Sequence, residues 1–460
     1  MSSSTEQAAA AALLKEREEK KQVVIDMLTA KCQEPSDFED IQEFGKALKG
    51  GDALDLKILS GGVTNFTYKV SLKSDPTKAL FAKLALNYAL WNPDKNAAYD
   101  LKRADNEFSI MNLFAGLMGG FESNAHVPVA RPYFCVDALD GTAKLFVAQW
   151  CKTDVQFSTH FMNGKVDMRV IDNFANAIAT LNLESTDASY NENTRSSMQS
   201  MIPLFRQISA QLIETPMDQS DACAKYCKDI GLATLEKIID GVEYDLMEAR
   251  QVLCHNDTKQ FNVLVEPLTD SGAFGPTGNF ALCDWEMSIK GRSGRDVGIF
   301  LAWPVACIFC HAVRGNKHET YHMLDACNRF WDKYAQTLAE KGGKDEEYLV
   351  DALQGAFGGC YLYLHLGFYA LGINNDDLPI EGLSAAKVAE AKGSMGLAAT
   401  RMAEMAYTEK NHGYSFGDLK AFFQGTIMTE IEKLLAIAVA SHDEMQTERR
   451  SSETLVTVIN

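Results

Sequence analysis

Hydrophobic positions change their spacing once along the chain. Between Leu54 and Trp150 they fall in short runs set apart by turn-forming residues: Leu54–Ser60, Phe66–Leu72, Ala79–Leu86, Arg131–Val136 and Lys144–Trp150. Runs this short, bounded by Gly, Asp, Ser and Pro, predict strands, here a five-stranded antiparallel sheet with one helix over 94–117 between the third and fourth. Beyond Thr153 apolar residues recur three and four apart in 166–183, 201–213, 231–249, 320–340, 346–367, 384–407 and 419–440. That spacing gives each stretch one apolar face and predicts a helical lobe. Within it, Phe261–Val265 and Phe280–Cys283 read as two short strands joined by a Gly/Pro/Thr/Ser-rich connection.

The ends differ from both lobes. Residues 1–33 pass from a polar serine tail into helix formers with interspersed charges, which predicts a helix on the outside of the first lobe with a solvated charged face. The last twenty residues are polar and are expected to be loose. The fold class is therefore α+β and two-lobed. Residues 1–50 form a helical extension, 51–150 an N-lobe, 151–440 a mainly helical C-lobe, and 441–460 a tail.

Composition narrows the functions. A formal net charge of −18 offers no basic stripe for nucleic acid or for an anionic membrane surface, so the expected partner is a small molecule. The run Gly298–Val313 holds Pro304 and is short for a membrane span, so it reads as a core helix. Cys307 and Cys310 form a CxxC inside that run. No second pair follows, so they read as buried thiols, and the eleven cysteines as reduced in a cytoplasmic protein.

Candidate chemistry concentrates between Val252 and Phe300. His255 and Asp257 precede the first short strand, Asn262 follows Asp257 by five residues, and the second strand ends on Asp284 with Glu286 two residues later. A carboxylate suits the orientation of a hydroxyl nucleophile that loses its proton late, and this is the role expected of Asp257. Hard oxygen ligands suit the magnesium ions that neutralise a triphosphate, the role expected of Asn262 and Asp284, with Glu286 acting through water. Lys83 is flanked by apolar residues in a strand, where an unpaired ammonium would be costly, and Glu107 in the following helix is the expected partner.

The segments HNDTKQFNVLV and CDWE resemble the HxDxxxxN and D-x-E signatures of small-molecule kinases with a protein-kinase-like fold, the aminoglycoside phosphotransferase and choline kinase superfamily. The resemblance runs from about residue 55 to about residue 310. It implies ATP and Mg2+ as cofactors. The loop Ser60–Asn65, with Gly61, Gly62, Thr64 and Asn65, is similar to the phosphate loop of choline kinases, and Lys83 sits where these folds pair a lysine with the α- and β-phosphates. The resemblance further implies a hinge at Gln149, Trp150 and Cys151 against the adenine, and loop-ordering roles for His255 and Asp296.

Two members of the superfamily compete for the substrate. The phosphate loop, the HND triplet and Asn262 look like choline/ethanolamine kinases. The run KLALNYALWNPDKNAAYDLKRADNEF and the segment GRSGRDVGIFLAW look like methylthioribose kinases, which usually carry serine at the position of Asn262 and a paired arginine at that of Thr400-Arg401. A ribose-like sugar such as 5-methylthioribose is thus the first expectation, with Arg401 reaching the transferred phosphate. An amino-alcohol kinase is the second, with Trp303, Trp331, Tyr361, Tyr363 and Tyr369 as a candidate cation cage. A pseudokinase acting as a binding module is the third. Families of this type are often homodimers.

Overall fold

A computed structural model of the chain describes residues 3–59, 65–88, 100–121, 126–151, 153, 155–186, 203, 206–207, 210, 221–372, 378–408 and 413–459. Contacts divide these residues into two units. The first is drawn from Met1–Lys152 and Ala281–Ser288, the second from Thr153–Ala188, Met198–Phe280 and Ile289–Asn460. The phosphate-loop candidates Gly61, Gly62 and Thr64 lie outside the described residues.

The first unit is a sheet with helices. After α1 (Ser3–Cys32) and α2 (Glu39–Lys49) come β1 (Leu54–Ile58), β2 (Asn65–Leu72) and β3 (Ala79–Leu86). Then α3 (Lys102–Leu117) leads to β4 (Pro132–Ala138) and β5 (Ala143–Gln149), and a 3-10 turn spans Trp285–Met287. The strand order is β1-β2-β3-β5-β4, antiparallel throughout, with Lys83 paired to Thr67 on one side and Phe146 on the other. Alternation decides the faces: Leu54 and Leu56 of β1 are buried while Asp55 and Lys57 are exposed. Helix α1 does more than cover the surface with charge. Val24, Leu28 and Cys32 from its last turns join Ile41 and Phe44 of α2 and Leu56, Tyr68 and Val70 of the sheet in one apolar core. The Tyr68 hydroxyl donates to the Arg17 carbonyl at 3.0 Å, tying β2 to the middle of α1.

The second unit is mainly helical around short strands. In chain order it contains β6 (Val155–Gln156), α4 (Phe157–Met162), α5 (Met168–Glu184), α6 (Ala222–Ile230), α7 (Leu232–Met247), β7 (Val252–Cys254) and β8 (Val263–Val265). Next comes β9 (Phe280–Leu282), whose Phe280 belongs here and whose last two residues belong to the first unit, then β10 (Ile289–Gly291). The helices α8 (Arg295–Arg314), α9 (Lys317–Gly342) and α10 (Glu346–Cys360) follow, then a π-helical segment (Tyr361–Leu371), α11 (Ala385–Tyr407) and α12 (Phe416–Ile459). β6 pairs antiparallel with β8 and β7 with β10, so Cys254 faces Ile289.

Helix α8 is the axis of this unit. It is apolar enough to cross a membrane by composition, yet the whole of its apolar window is buried in protein, with Phe300 stacked among Phe157, Phe174 and Phe330. Cys307 and Cys310 are buried within it, where desolvation raises both thiols above their ordinary range. Beyond residue 440 the backbone continues as helix to Ile459, where the polar composition suggested a loose tail. Its first half carries Glu444, Met445, Gln446, Glu448, Arg449 and Arg450, residue types that cost a helix little.

Candidate active site

In the first unit the candidate residues converge on Lys83. β3 is buried along almost its whole length, so this strand presents the ammonium to the interior, with the side chain only 3% exposed. Lys83 Nζ lies 2.9 Å from Glu107 Oε2, 2.6 Å from Asp284 Oδ1 and 2.9 Å from Glu286 Oε2. A four-residue spacing on α3 places Arg103 on the same face as Glu107. Arg103 Nη1 lies 3.3 Å from Glu286 Oε1, and its Nη2 donates to Asn65 Oδ1 at 2.7 Å and to the Leu86 carbonyl at 3.0 Å. Asn65 Nδ2 donates in turn to Glu286 Oε2 at 2.9 Å.

Two cations thus face three carboxylates inside a core, and the electrostatics follow. Burial alone would favour a neutral Lys83 amine, but Asp284, Glu107 and Glu286 outweigh it and hold the ammonium charged. Burial pushes Glu107 up to about 7 in spite of Lys83. Asp284 differs from its neighbours in two ways. Its side chain is 34% exposed, and its backbone is left-handed at φ 65°, ψ 56°, which costs a non-glycine residue roughly 1–2 kcal/mol. The adjoining Trp285 holds this conformation from behind: it is fully buried against Phe114, ring centroids 4.7 Å apart, and its indole N–H donates to the Leu282 carbonyl.

In the second unit the candidates converge on Asp257. The segment before it is anchored from the start of α8: the backbone N–H groups of His255 and Asn256 donate to the two oxygens of Asp296, at 2.7 and 2.8 Å. Thr258 Oγ1 donates to the Asp296 carbonyl at 2.6 Å, and Arg295 Nε donates to Asn256 Oδ1 at 2.6 Å. Asn256 is left-handed at φ 64°, so the anchored turn is also a strained one. His255 is fully buried, and its Nδ1 accepts the backbone N–H of Asp257 at 3.2 Å.

The Asp257 carboxylate receives three side-chain donors: Lys259 Nζ at 2.8 Å, Asn262 Nδ2 at 2.9 Å and the Tyr363 hydroxyl at 2.7 Å. Asn262 also donates to the Asp257 carbonyl at 2.8 Å, closing the five-residue loop between them. Burial pushes Asp257 up, but Lys259 and the Tyr363 hydroxyl outweigh it and keep the group below the usual carboxylate range. Asp296 has no such ammonium. Burial carries it up to about 6 against the backbone donors that stabilise its charge.

The remaining candidates make other contacts. Gln149 ends β5 and its N–H donates to the Arg131 carbonyl at 2.8 Å; Trp150 lies under Lys69 Nζ, 4.5 Å from the ring centre, and Cys151 is half-buried. Arg401 on α11 stacks over Tyr226 at 5.2 Å and lies 4.0 Å from Glu430, contacts that do not include Asp257. Of the proposed cage, Trp303 packs on Phe261 and Phe368, Trp331 packs on Tyr334 and Phe423, and Tyr361 is fully buried. These are core aromatics.

Sequence reasoning passed over four residues that shape the two clusters: Arg103, Lys259, Arg295 and, as a partner of Asp257, Tyr363. Arg103 carried a signal, a cation one turn before Glu107 on a helix with few apolar breaks, and Lys259 carried a weaker one, two residues after Asp257.

No protein-family model matches the sequence, and no curated protein matches it. Among solved structures, a glucosamine kinase in complex with glucosamine, ADP and inorganic phosphate is similar at a TM-score of 0.41 and 14% identity, over 72% of this chain and 79% of that one. A second crystal form of glucosamine kinase is similar at 0.39 and 15%, over 72% and 80%. An aminoglycoside phosphotransferase from Streptomyces rimosus, in complex with ADP and streptomycin, is similar at 0.30 and 12%, over 65% of this chain and 92% of that one.

Proposed function

We propose that the chain transfers the γ-phosphoryl group of ATP to a hydroxyl of a small molecule. The observation that carries this reading is the convergence on Lys83. An ammonium from β3, a glutamate from α3 and an aspartate from a segment 201 residues further on meet at hydrogen-bond distance inside one unit. A purely structural core gains little from burying five charged groups, because their desolvation offsets most of their attraction. An ammonium held charged and oriented by carboxylates is suited to receive nucleotide phosphates.

The second cluster supplies the complementary chemistry. Asp257 is kept ionised by Lys259 and oriented by Asn262 and Tyr363, so it can hold an acceptor hydroxyl and take its proton late in transfer. Asp296 and His255 fix the backbone that leads into it. For magnesium, the oxygens of Glu107, Asp284 and Glu286 lie within 4.8 Å of one another, and carboxylate oxygen is the donor this hard cation takes. Asp284, the exposed member, and Glu286 are assigned to the metal. Magnesium bound with the triphosphate supplies charge neutralisation.

For the acceptor we favour a ribose-like sugar of the 5-methylthioribose type over choline or ethanolamine. The amino-alcohol reading needs aromatic faces open to a cation, and Trp303, Trp331 and Tyr361 are instead spent on the core. The experiment is a coupled assay of ADP release with magnesium ATP and a panel of methylthioribose, related pentoses, choline and ethanolamine. Saturable turnover on a pentose supports the reading. Turnover on choline or ethanolamine alone overturns the sugar assignment, and ATP binding without turnover on any hydroxyl compound makes the chain a binding module.

A further inference from the structure

The second unit holds a group of soft ligands that takes no part in the chemistry above. Cys223 and Cys227 stand four residues apart on α6, one above the other on the same helical face. His365 comes to them from the π-helical segment. All three side chains are buried, and one ligand atom from each lies within 4.8 Å of the others. A tetrahedral zinc ion with bonds of about 2.0 to 2.3 Å sets its sulfur and nitrogen ligands roughly 3.5 to 3.8 Å apart, so a contraction of about 1 Å or less closes this cluster on one.

The surroundings also point to a ligand. His365 Nε2 is buried and has no hydrogen-bond partner among the described residues, in a core where an unmet ring nitrogen is costly. Its Nδ1 donates to Thr400 Oγ1 at 2.8 Å, which itself donates to the Gly396 carbonyl at 2.8 Å, so Thr400 fixes the ring and its tautomer and leaves Nε2 as the nitrogen offered to a metal. At α6's N-terminus Asp221 caps the helix through the N–H groups of Cys223 and Ala224 and accepts the Tyr369 hydroxyl at 2.9 Å, which fixes the first thiol. Gly396 leaves room for both Cys223 Sγ and the Tyr369 ring: a Cβ there would stand 2.7 Å from each.

We propose that Cys223, Cys227 and His365 supply three ligands of a tetrahedral zinc site, with a water in its fourth position. Two thiolates and one imidazole neutralise a divalent d10 ion, which makes a charge-balanced group that a core accepts. The two thiols give up their protons to solvent as the ion binds, and no redox change is involved. The site joins α6 to the π-helical segment and, two residues before His365 on that segment, to Tyr363, the donor to Asp257.

The test uses the full-length chain expressed in zinc-supplemented medium, purified under reducing conditions and analysed by plasma mass spectrometry. A parallel sample is refolded with cobalt and read by thiolate-to-cobalt charge-transfer absorption. About one zinc per chain and a thiolate–cobalt band are expected. Both should be lost in Cys223→Ser, Cys227→Ser and His365→Gln, and both kept in Cys307→Ser and Cys310→Ser. Should the first three variants fail to fold, the wild-type chain still decides the matter: zinc must shield Cys223 and Cys227 from alkylation in mild denaturant, located by peptide mapping. Zinc retained in all three variants overturns the assignment. So does a chain that takes up neither metal on refolding, or one whose Cys223 and Cys227 form a disulfide and bind no zinc.

Discussion

The two aspartates of the second unit, Asp257 and Asp296, are both buried, yet their environments drive them apart. Asp257 faces an ammonium and is depressed; Asp296 faces mostly neutral donors and rises to about 6. Replacing Asp257 by Asn keeps its shape and removes the base, so turnover should fall at least 100-fold while ATP affinity, measured by calorimetry, stays within a factor of about three. Loss of nucleotide affinity in parallel with turnover would refute the separation of roles. Asp296 makes a prediction about pH. Its carboxyl is harder to ionise folded than unfolded, so between about pH 4 and 6 the native state holds the extra proton, and stability falls as pH rises through that window. The full effect of a two-unit difference is on the order of 3 kcal/mol. Urea unfolding of Asp296→Asn across pH 4 to 7 should therefore show a stability deficit against wild type that shrinks as pH rises, and a constant deficit would contradict the assignment. These residues were legible in the sequence because each polar group stands at the end of an apolar run. Tyr363 was not, since it reaches Asp257 from 106 residues away and nothing local marks the pairing.

At the scale of elements, α8 and α10 approach each other through glycine. A Cβ on Gly298 would stand 1.9 Å from the Ala356 carbonyl oxygen, and one on Gly359 would stand 2.6 Å from the Arg295 carbonyl oxygen. Gly298→Ala should thus lower unfolding free energy by about 1–3 kcal/mol in spite of alanine's better helix propensity. Gly425→Ala, on α12 with open space around it, should raise stability by about 0.5–1 kcal/mol instead. Urea melts of the pair check both, and equal signs would show that propensity and not contact governs these helices. The five strands were readable because alternation and turn residues coincide; their observed ends lie within two residues of the expected ones. The π-helical segment was not readable. Its residues, YLYLHLGFYAL, are apolar all round, so their periodicity gives no sign that the backbone widens there.

At the scale of the molecule, the N-terminal extension is part of a core and not an appendage. Val24 and Leu28 are fully buried beneath the sheet, each contributing about 1.5–3 kcal/mol, so removal of residues 1–33 should cost the first unit several kcal/mol. Scanning calorimetry should show the transition midpoint lowered or lost, and an unchanged midpoint would mean that α1 only decorates the surface. Composition could not reveal this, because the charges along α1 mask an apolar stripe only three residues long. The division of the chain has a further consequence, one of timing. The first unit is not finished when its first 152 residues have been made, because Asp284, Trp285 and Glu286 arrive only with the segment ending at Ser288. At roughly 5–20 residues per second, a ribosome takes on the order of 7–30 s to cover that interval. During it the nascent sheet carries Lys83 and Arg103 without two of their three carboxylate partners, and Phe114 without the indole that covers it. A chain stalled or cut in that window leaves an incomplete core open to aggregation, so messenger-level features that slow translation between these codons should lower soluble yield even though they change no amino acid.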